Sequence, residues 1–247
     1  MRVVSFNIHR AVGVGNRRPS IRAIGAVLRE LAPDVVALNE ILRTPLLADQ
    51  PARLASMLHM SQVFGRTITS WGMPFGNAVL SRGRILDAER VLLPGEGAEP
   101  RCVLFVDTEV DGARFTFAST HLEVRGAPRA AQLEALPAML KAVRGSELGL
   151  GGVGPGGHAS GGSEGGYDGS ALVLAGDFNA QGAELHLLAE GAGLSLAPEQ
   201  ATFPSAEPTI AIDHVLYSDH WRALDAFVLA RPVSDHAALV VDLERVH

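Results

Sequence analysis

The feature that most constrains the fold is a change in how apolar segments follow one another along the chain. Residues 2–8 and 34–39 have the pattern of buried strands, and a helix is predicted between them at 19–31. From residue 61 the predicted strands follow one another directly, at 62–69, 77–81, 85–93, 102–110 and 114–122. Asp111 and Gly112 form a strong hairpin signal between the last two. A strand, helix and strand suggest parallel pairing, so the chain is expected to mix parallel and antiparallel strands.

The second half of the chain is predicted to add two helices and four strands. They are expected as a helix at about 127–143, a strand at 171–177, a helix near 183–190, and closing strands at 212–217, 223–230 and 237–243. This mixture fits two sheets packed face to face with helices outside, in a single α/β domain over residues 1–247.

Glycine and serine dominate residues 145–169. Such a composition cannot bury enough apolar surface to offset the entropy lost on ordering, so we expect a flexible insert there. The alternative is a phosphate-binding glycine loop. That motif needs a Lys-Ser/Thr pair and a following helix, neither of which the sequence provides.

Charge and composition limit the classes of function. The chain has 21 Lys plus Arg, 27 Asp plus Glu and a net charge of −6, which argues against broad electrostatic attachment to nucleic acid or anionic membranes. A nuclease remains open, because a divalent cation in an acidic site attracts phosphate. No apolar run reaches the roughly 18 to 20 residues of a membrane helix, so stable membrane insertion is not expected.

The start of the chain and its cysteine usage bear on cellular location. Met1 is followed at once by a core-like strand, which leaves no room for a signal peptide, and we expect a cytoplasmic protein. Cys102 is the single cysteine, so an intrachain disulfide is excluded. Its expected role is that of a small core residue.

Polar residues recur where apolar strands are predicted to begin or end. The strand at 171–177 ends in Asp177, and Asn179 follows on the same face, while Phe178 is expected to turn into the core. Further polar residues at strand ends are Asn7, Glu40, His121, Asp213, His214, Asp235 and His236. Each alone is explained by a turn or a satisfied polar group. Together they supply what metal-assisted phosphoester hydrolysis requires.

The residue types indicate two parts of such a site, one that binds the metal and one that orients the attacking water. A hard cation such as Mg²⁺ takes oxygen ligands and keeps waters, so one or two carboxylates suffice, and Glu40 is the first candidate, steadied by Asn7. The second part needs a group that orients the attacking water and stabilises charge on the phosphoryl oxygens. His236, held by Asp213, fits that role.

Seven short motifs follow one another over nearly the whole chain. They are Ser5-Phe-Asn-Ile-His9, Leu38-Asn-Glu-Ile41, Gly76-Asn-Ala-Val-Leu-Ser-Arg82, Thr120-His-Leu122, Gly176-Asp-Phe-Asn179, Ile212-Asp-His-Val215 and Ser234-Asp-His236. In this order they resemble the endonuclease/exonuclease/phosphatase superfamily, and its small bacterial members in particular. The resemblance implies a four-layer α/β sandwich with two mainly antiparallel mixed sheets. It also implies a hydrolase of phosphoric esters that depends on Mg²⁺ or Mn²⁺.

The resemblance implies roles around the metal and the water. Glu40 corresponds to the metal-ligand glutamate. Asn7 is expected beside it, in contact with the metal or the phosphate, and Asp235 is expected to contribute to metal binding. Asp177 and Asn179 correspond to the pair that activates water and binds the scissile phosphate.

The resemblance also assigns the histidines. His236 corresponds to the catalytic histidine, which also meets the phosphate and is oriented by Asp213. His121 corresponds to a histidine that contacts the phosphate or protonates the leaving group. The family usually has Gln before the metal-ligand Glu, where this chain has Asn39, so the contacts of that shorter side chain are left open.

The expected partner is a phosphate-ester substrate, hydrolysed by in-line attack of an activated water. A nucleic acid and a small or lipid-derived phosphodiester are weighted equally, with a phosphomonoester such as a sugar or inositol phosphate as the alternative. The chain has only 9 Phe, 2 Trp and 2 Tyr, which disfavours a stacking platform for single strands. A rival from another class is a non-catalytic binding module that keeps the fold, but the complete set of site residues favours an enzyme.

Overall fold

The computed structural model describes residues 1–14, 20–44, 48–70, 72–96, 98–145 and 171–246. Most of the predicted glycine-rich insert, from residue 146 on, lies outside these ranges, as does Pro19. Within the described ranges, no helix is long and apolar enough to cross a membrane.

The predicted helices and strands are all present, in the predicted order. The strands are β1 Arg2–Asn7, β2 Val35–Thr44, β3 Ala48–Asp49, β4 Ser61–Ser70, β5 Met73–Ser81, β6 Arg84–Leu92, β7 Cys102–Val110, β8 Ala113–His121, β9 Leu172–Asp177, β10 Ser195–Leu196, β11 Asp213–Tyr217, β12 Trp221–Leu229 and β13 Ala238–Arg245. The helices are α1 Ile21–Leu31, α2 Gln50–Leu58, α3 Gly126–Gly145 and α4 Ala183–Ala192.

The strands form two mixed sheets, as predicted. The first has the order β12-β13-β1-β2-β5-β4, with β3 paired to β2, and the second has the order β10-β11-β9-β8-β7-β6. The pairs β1/β2 and β8/β9 are parallel, and the other strand pairs described are antiparallel. Parallel neighbours end at the same edge of a sheet, so the ends of these two pairs can build one site.

Three apolar layers hold the sandwich together. The inner faces of the two sheets meet through residues such as Leu104, Phe117 and Val241. The outer face of the first sheet packs on α1 and α2, and that of the second on α3 and α4. Each fully buried Leu or Phe contributes about 1.5 to 3 kcal/mol, so these layers supply the main stabilising term. The four-layer α/β sandwich expected from the resemblance is confirmed.

Capping residues explain where α1 and α2 begin, and short length explains why some elements were not predicted. Helix α1 begins after Ser20, whose Oγ accepts a hydrogen bond from the backbone N–H of Ala23. Helix α2 was not predicted. It is capped by Asp49, has Pro51 in its first turn, and is only nine residues long, so its periodicity was too short to identify. The short strands β3 and β10 were also missed, and β2 continues past its predicted end.

One glycine sets the spacing of two strands beside the polar strand ends. Gly176 on β9 lies opposite Thr120 on β8 and has φ of 153°. A Cβ at this position would lie 1.9 Å from the carbonyl oxygen of Thr120. Only glycine allows the two backbones to approach this closely, one residue before His121 and Asp177.

We predict that Gly176→Ala destabilises the fold by at least about 3 kcal/mol, because backbone strain and a steric clash add together. Gly112→Ala is the matched control, since Gly112 has φ of 78° but open space around its Cβ position, and should cost only about 1 kcal/mol. Urea denaturation of both variants measures the difference. Equal losses of stability would contradict the assigned contact with Thr120.

Candidate active site

The predicted site residues lie at strand ends that the register of the two sheets aligns. Asn7 and Asn39 are neighbours across the parallel pair β1/β2. In the other sheet, Asp177 is opposite His121 on β8 and opposite Asp213 on β11. The same edge of both sheets therefore presents polar side chains.

The Asp177 carboxylate is the centre of this group. Its Oδ2 accepts a hydrogen bond of 3.0 Å from Asn7 Nδ2 and lies 3.5 Å from His121 Nε2 and 3.7 Å from His236 Nε2. Asn7 Nδ2 is also 3.3 Å from Glu40 Oε1. One continuous set of contacts thus joins residues from both sheets and both ends of the chain.

A bulge in β2 determines where Glu40 lies. The pairing of β2 with β5 shifts between Leu38 and Ile41, and Glu40 has φ of 54°, in the left-handed region. On a regular strand Asn39 and Glu40 would point to opposite faces. The bulge lets Glu40 meet Asn7 while Asn39 reaches the second sheet.

The contacts of Asn39, left open by the sequence, are all buried. Its Oδ1 accepts a 3.0 Å hydrogen bond from the backbone N–H of Asp177. Its Nδ2 donates to the carbonyl oxygen of Thr120 and to Asn77 Oδ1, each at 3.0 Å. The shorter amide is therefore a direct link between the sheets, and its position next to Glu40 was the only sequence signal for that role.

His236 is held by a buried carboxylate. Its Nδ1 lies 2.7 Å from Asp213 Oδ2, and Asp213 is fully buried. Burial lowers the pKa of His236, but the charge and hydrogen bond of Asp213, with the charges of Asp177 and Asp235, outweigh that effect and raise the pKa to about 10. At neutral pH, His236 is therefore a cation that donates from Nδ1 to Asp213.

His121 has the opposite character. Burial, followed by the positive charges of Arg101 and His236, lowers the pKa of His121 well below its usual value. Its Nδ1 lies 3.1 Å from a guanidinium nitrogen of Arg101. His121 is therefore neutral. Sequence reasoning had not placed Arg101 in the site.

Asp177 and Asn179 are linked by a turn rather than by strand alternation. Strand β9 ends at Asp177, Phe178 is buried as predicted, and Asn179 has φ of 49°. The backbone N–H of Asn179 donates to Asp177 Oδ1 at 3.0 Å, and its Nδ2 donates to the carbonyl oxygen of Leu122 at 3.0 Å. Burial and the charge of Asp213 raise the pKa of Asp177.

Asp235 lies at the edge of this group. Its Oδ1 is 3.2 Å from Ser234 Oγ and 3.5 Å from His9 Nδ1, and its side chain is 39% exposed. Ser234 also donates to the carbonyl oxygen of Asn7 at 2.7 Å, which ties the segment before His236 to the end of β1. A metal-binding role for Asp235 stays a prediction.

The donor set fits a hard divalent cation. The carboxylates of Glu40 and Asp177 lie on either side of the Asn7 amide, and burial disfavours the charged form of Asp177, so a positive charge there would stabilise both carboxylates. Asp177, Asp213 and His236 also offer ligand atoms within 4.8 Å of one another. The hydrogen bond between His236 and Asp213 uses one such atom of each, so Glu40 is the better ligand. Asn7 turns its Nδ2 to Glu40 and Asp177, and its Oδ1 accepts a 3.0 Å hydrogen bond from the backbone N–H of His9, so a metal-ligand role for Asn7 stays a prediction.

The sequence and the fold place the chain among known proteins. A sequence model of the Endonuclease/Exonuclease/phosphatase family matches residues 4–236, and the chain belongs to this family. Protein YbhP of Escherichia coli (strain K12) is 27% identical over 265 residues, which cover 98% of this chain and 95% of YbhP.

Solved structures share the fold. An endonuclease/exonuclease/phosphatase from Beutenbergia cavernae superposes with a TM-score of 0.75 at 25% identity, covering 99% of this chain and 71% of that one. The human Nocturnin catalytic domain with bound sulfate anion superposes with a TM-score of 0.72 at 21% identity, covering 100% and 93%.

We predict that Asn39→Ala destabilises the protein by about 3 kcal/mol, because it leaves buried donors and acceptors unpaired and opens a cavity. Ser119→Ala is the control. Ser119 Oγ is buried and has no hydrogen-bond partner among the residues described, so its removal should change the free energy of unfolding by less than about 0.5 kcal/mol. Urea denaturation measures both, and equal effects would refute the role of the amide.

Proposed function

We propose that this chain is a single-domain, divalent-metal-dependent phosphodiesterase that hydrolyses its substrate by in-line attack of water on phosphorus. Proteins of this family are generally phosphoester hydrolases. The observation that carries the proposal is the unbroken set of contacts from Glu40 through Asn7 and Asp177 to His236 and Asp213.

Asp177 is suited to accept the proton of the attacking water. Both of its oxygens are oriented, Oδ1 by the backbone N–H of Asn179 and Oδ2 by Asn7. A carboxylate whose pKa is raised toward neutrality is a better general base than an ordinary one. The water oxygen bonds to phosphorus, its proton passes to Asp177, the ester P–O bond breaks, and the leaving alcohol takes a proton from solvent.

His236 is suited to stabilise the charge that develops on the phosphoryl oxygens. As a cation, it keeps a hydrogen on Nε2, which faces the Asp177 region, while Asp213 holds Nδ1. A fixed donor in a buried site stabilises the transition state more than solvent does. A divalent cation held by Glu40 would add positive charge and lower the pKa of bound water.

Neutral donors complete the proposed phosphate site. Asn179 Nδ2 carries two hydrogens, and the one not used by the carbonyl of Leu122 is free to meet a phosphoryl oxygen. Neutral His121 also has an N–H group beside Asp177, while the two N–H groups of Asn7 orient Glu40 and Asp177. Neutral donors bind phosphate without changing the charge balance on which Asp177 depends.

Charge favours a diester over a monoester. Glu40, Asp177 and Asp213 put three carboxyl groups in the site, and the chain as a whole carries −6. A diester has one negative charge and a monoester approaches two, so the monoester meets more repulsion from these carboxyl groups, which the His236 cation and a bound divalent cation only partly offset. Plasmid DNA, RNA, sphingomyelin and bis-p-nitrophenyl phosphate, each with EDTA controls, separate nucleic acid from smaller esters.

We expect His236→Ala and Asp177→Ala each to lower kcat on bis-p-nitrophenyl phosphate by about 1,000-fold or more, because both groups act in the transition state. His186→Ala and Asp225→Ala are matched controls at exposed positions and should retain normal kcat. Steady-state kinetics with circular dichroism as a folding check makes the comparison. Near-normal turnover of either site variant would refute its proposed role.

Metal dependence gives a separate test. EDTA should abolish activity, Mg²⁺ or Mn²⁺ should restore it, and Glu40→Gln should weaken metal binding in calorimetry by at least about tenfold, because the site loses a charged ligand. Glu190→Gln, at an exposed position on α4, should bind metal normally. Full activity in EDTA, or wild-type protein that binds neither ion, would contradict the proposal.

A further inference from the structure

Arg101 lies against the side of His121 that faces away from Asp177. It directly precedes β7, whose Val103 is opposite Thr120 on β8, so Arg101 and His121 meet at the same end of these strands. The Arg101 side chain is only 8% exposed, and its guanidinium lies 3.1 Å from His121 Nδ1. A buried cation beside a buried histidine needs a physical reason, because burying charge is costly.

Two carboxylates hold the guanidinium in place. Glu99 Oε1 lies 3.1 Å from one terminal nitrogen, and Glu123 Oε1 lies 3.8 Å from the other. The backbone N–H of Glu123 in turn donates to Gln132 Oε1 at 2.8 Å. These contacts offset the charge of Arg101 and limit the positions that its guanidinium can take.

The chemistry of the contact determines where the His121 proton lies. A guanidinium has five N–H donors and no acceptor, so His121 Nδ1 must be the acceptor in this hydrogen bond. A neutral imidazole then carries its single hydrogen on Nε2. That N–H faces Asp177 Oδ2 at 3.5 Å, which is an acceptor. The two neighbours of the ring therefore select the same tautomer.

We propose that Arg101 is a positioning residue that fixes His121 as the neutral Nε2–H tautomer, so that His121 donates a hydrogen bond to a phosphoryl oxygen and does not protonate the leaving group. The catalytic part of this inference rests on the proposed function. The assigned tautomer does not, because it follows from the contacts of Arg101 and Asp177 alone.

Nuclear magnetic resonance tests the tautomer directly. Long-range ¹H–¹⁵N spectra of histidine side chains, recorded on EDTA-treated protein at pH 7.5, should show His121 with its hydrogen on Nε2, assigned by the signals lost in His121→Gln. Arg101→Met should shift His121 toward a mixture of tautomers, and Arg101→Lys, which keeps a cationic donor, should restore the wild-type pattern. The control Arg84→Met changes an arginine whose side chain is 73% exposed and should leave His121 unaltered.

The spectrum of the wild-type protein tests the assigned tautomer of His121 even if Arg101→Met does not fold. A hydrogen on Nδ1, or a doubly protonated ring, would overturn the proposal. An Nε2–H tautomer in a protein that cleaves no phosphate ester would instead overturn the proposed function and leave the assigned tautomer supported.

Kinetics tests whether Arg101 affects turnover through His121. Arg101→Met should lower kcat about tenfold with little change in KM, and it should cost less than about twofold when His121→Gln is already present, because residues that act as a unit are non-additive. Multiplicative losses in the double variant would mean that Arg101 acts independently of His121 and would overturn the positioning role.

Discussion

The buried carboxamide of Asn39 couples the two sheets at the level of the candidate site. Asn39 is part of the first sheet, while the Asp177 N–H and the Thr120 carbonyl that it binds belong to the second. Apolar packing between sheets has no direction, whereas these hydrogen bonds do. Because Asn39 is also next to Glu40, and Asn7 bonds both Glu40 and Asp177, the relative position of these two carboxylates depends on the two amides together.

Two histidines beside the same carboxylate are given different charge states by their other neighbours. The charge and hydrogen bond of Asp213 outweigh burial and raise the pKa of His236, whereas burial, followed by the charges of Arg101 and His236, lowers the pKa of His121. Two imidazolium ions this close together would repel each other. The carboxylate beside His236 favours its charged form, and the guanidinium beside His121 favours its neutral form. The arrangement supplies Asp177 with one charged neighbour and one neutral donor, which is the pattern expected where acid, base and stabilising groups must be kept distinct.

Local signals predicted most of the fold. Strand β7 was predicted with the bounds that it has, because its apolar run ends at clear turn residues. The site residues could be named because polar groups that interrupt apolar strands are visible in sequence. Their distances could not, since Asn7 and Asp177 are 170 positions apart and meet only through the register of two sheets. The Arg101 contact was missed, although the hairpin predicted at Asp111-Gly112 pairs the start of β7 with the end of β8 and so carried a signal for it.

Left-handed backbone conformations occur in several settings in the part of the chain that the structure describes, including the turn at His9–Ala11 and the hairpin turn at Asp111. Left-handed conformations at Ala32 and His59 follow the ends of helices, where they are common. Glu40 and Asn179 have no helix end beside them, and a non-glycine residue in this region costs about 1 kcal/mol, less for asparagine.

Regular strand geometry would avoid that cost, but it would turn Glu40 away from Asn7 and continue β9 past Asp177. At these two points, one in each sheet, a strand bends, so that Glu40 meets Asn7 and the backbone N–H of Asn179 meets Asp177. The hydrogen bonds of Asn39 and Asp177 offset the cost there. A distortion that opposes backbone preference and brings carboxylates together, against their mutual repulsion, supports the proposal that this site binds a cation and an anionic substrate.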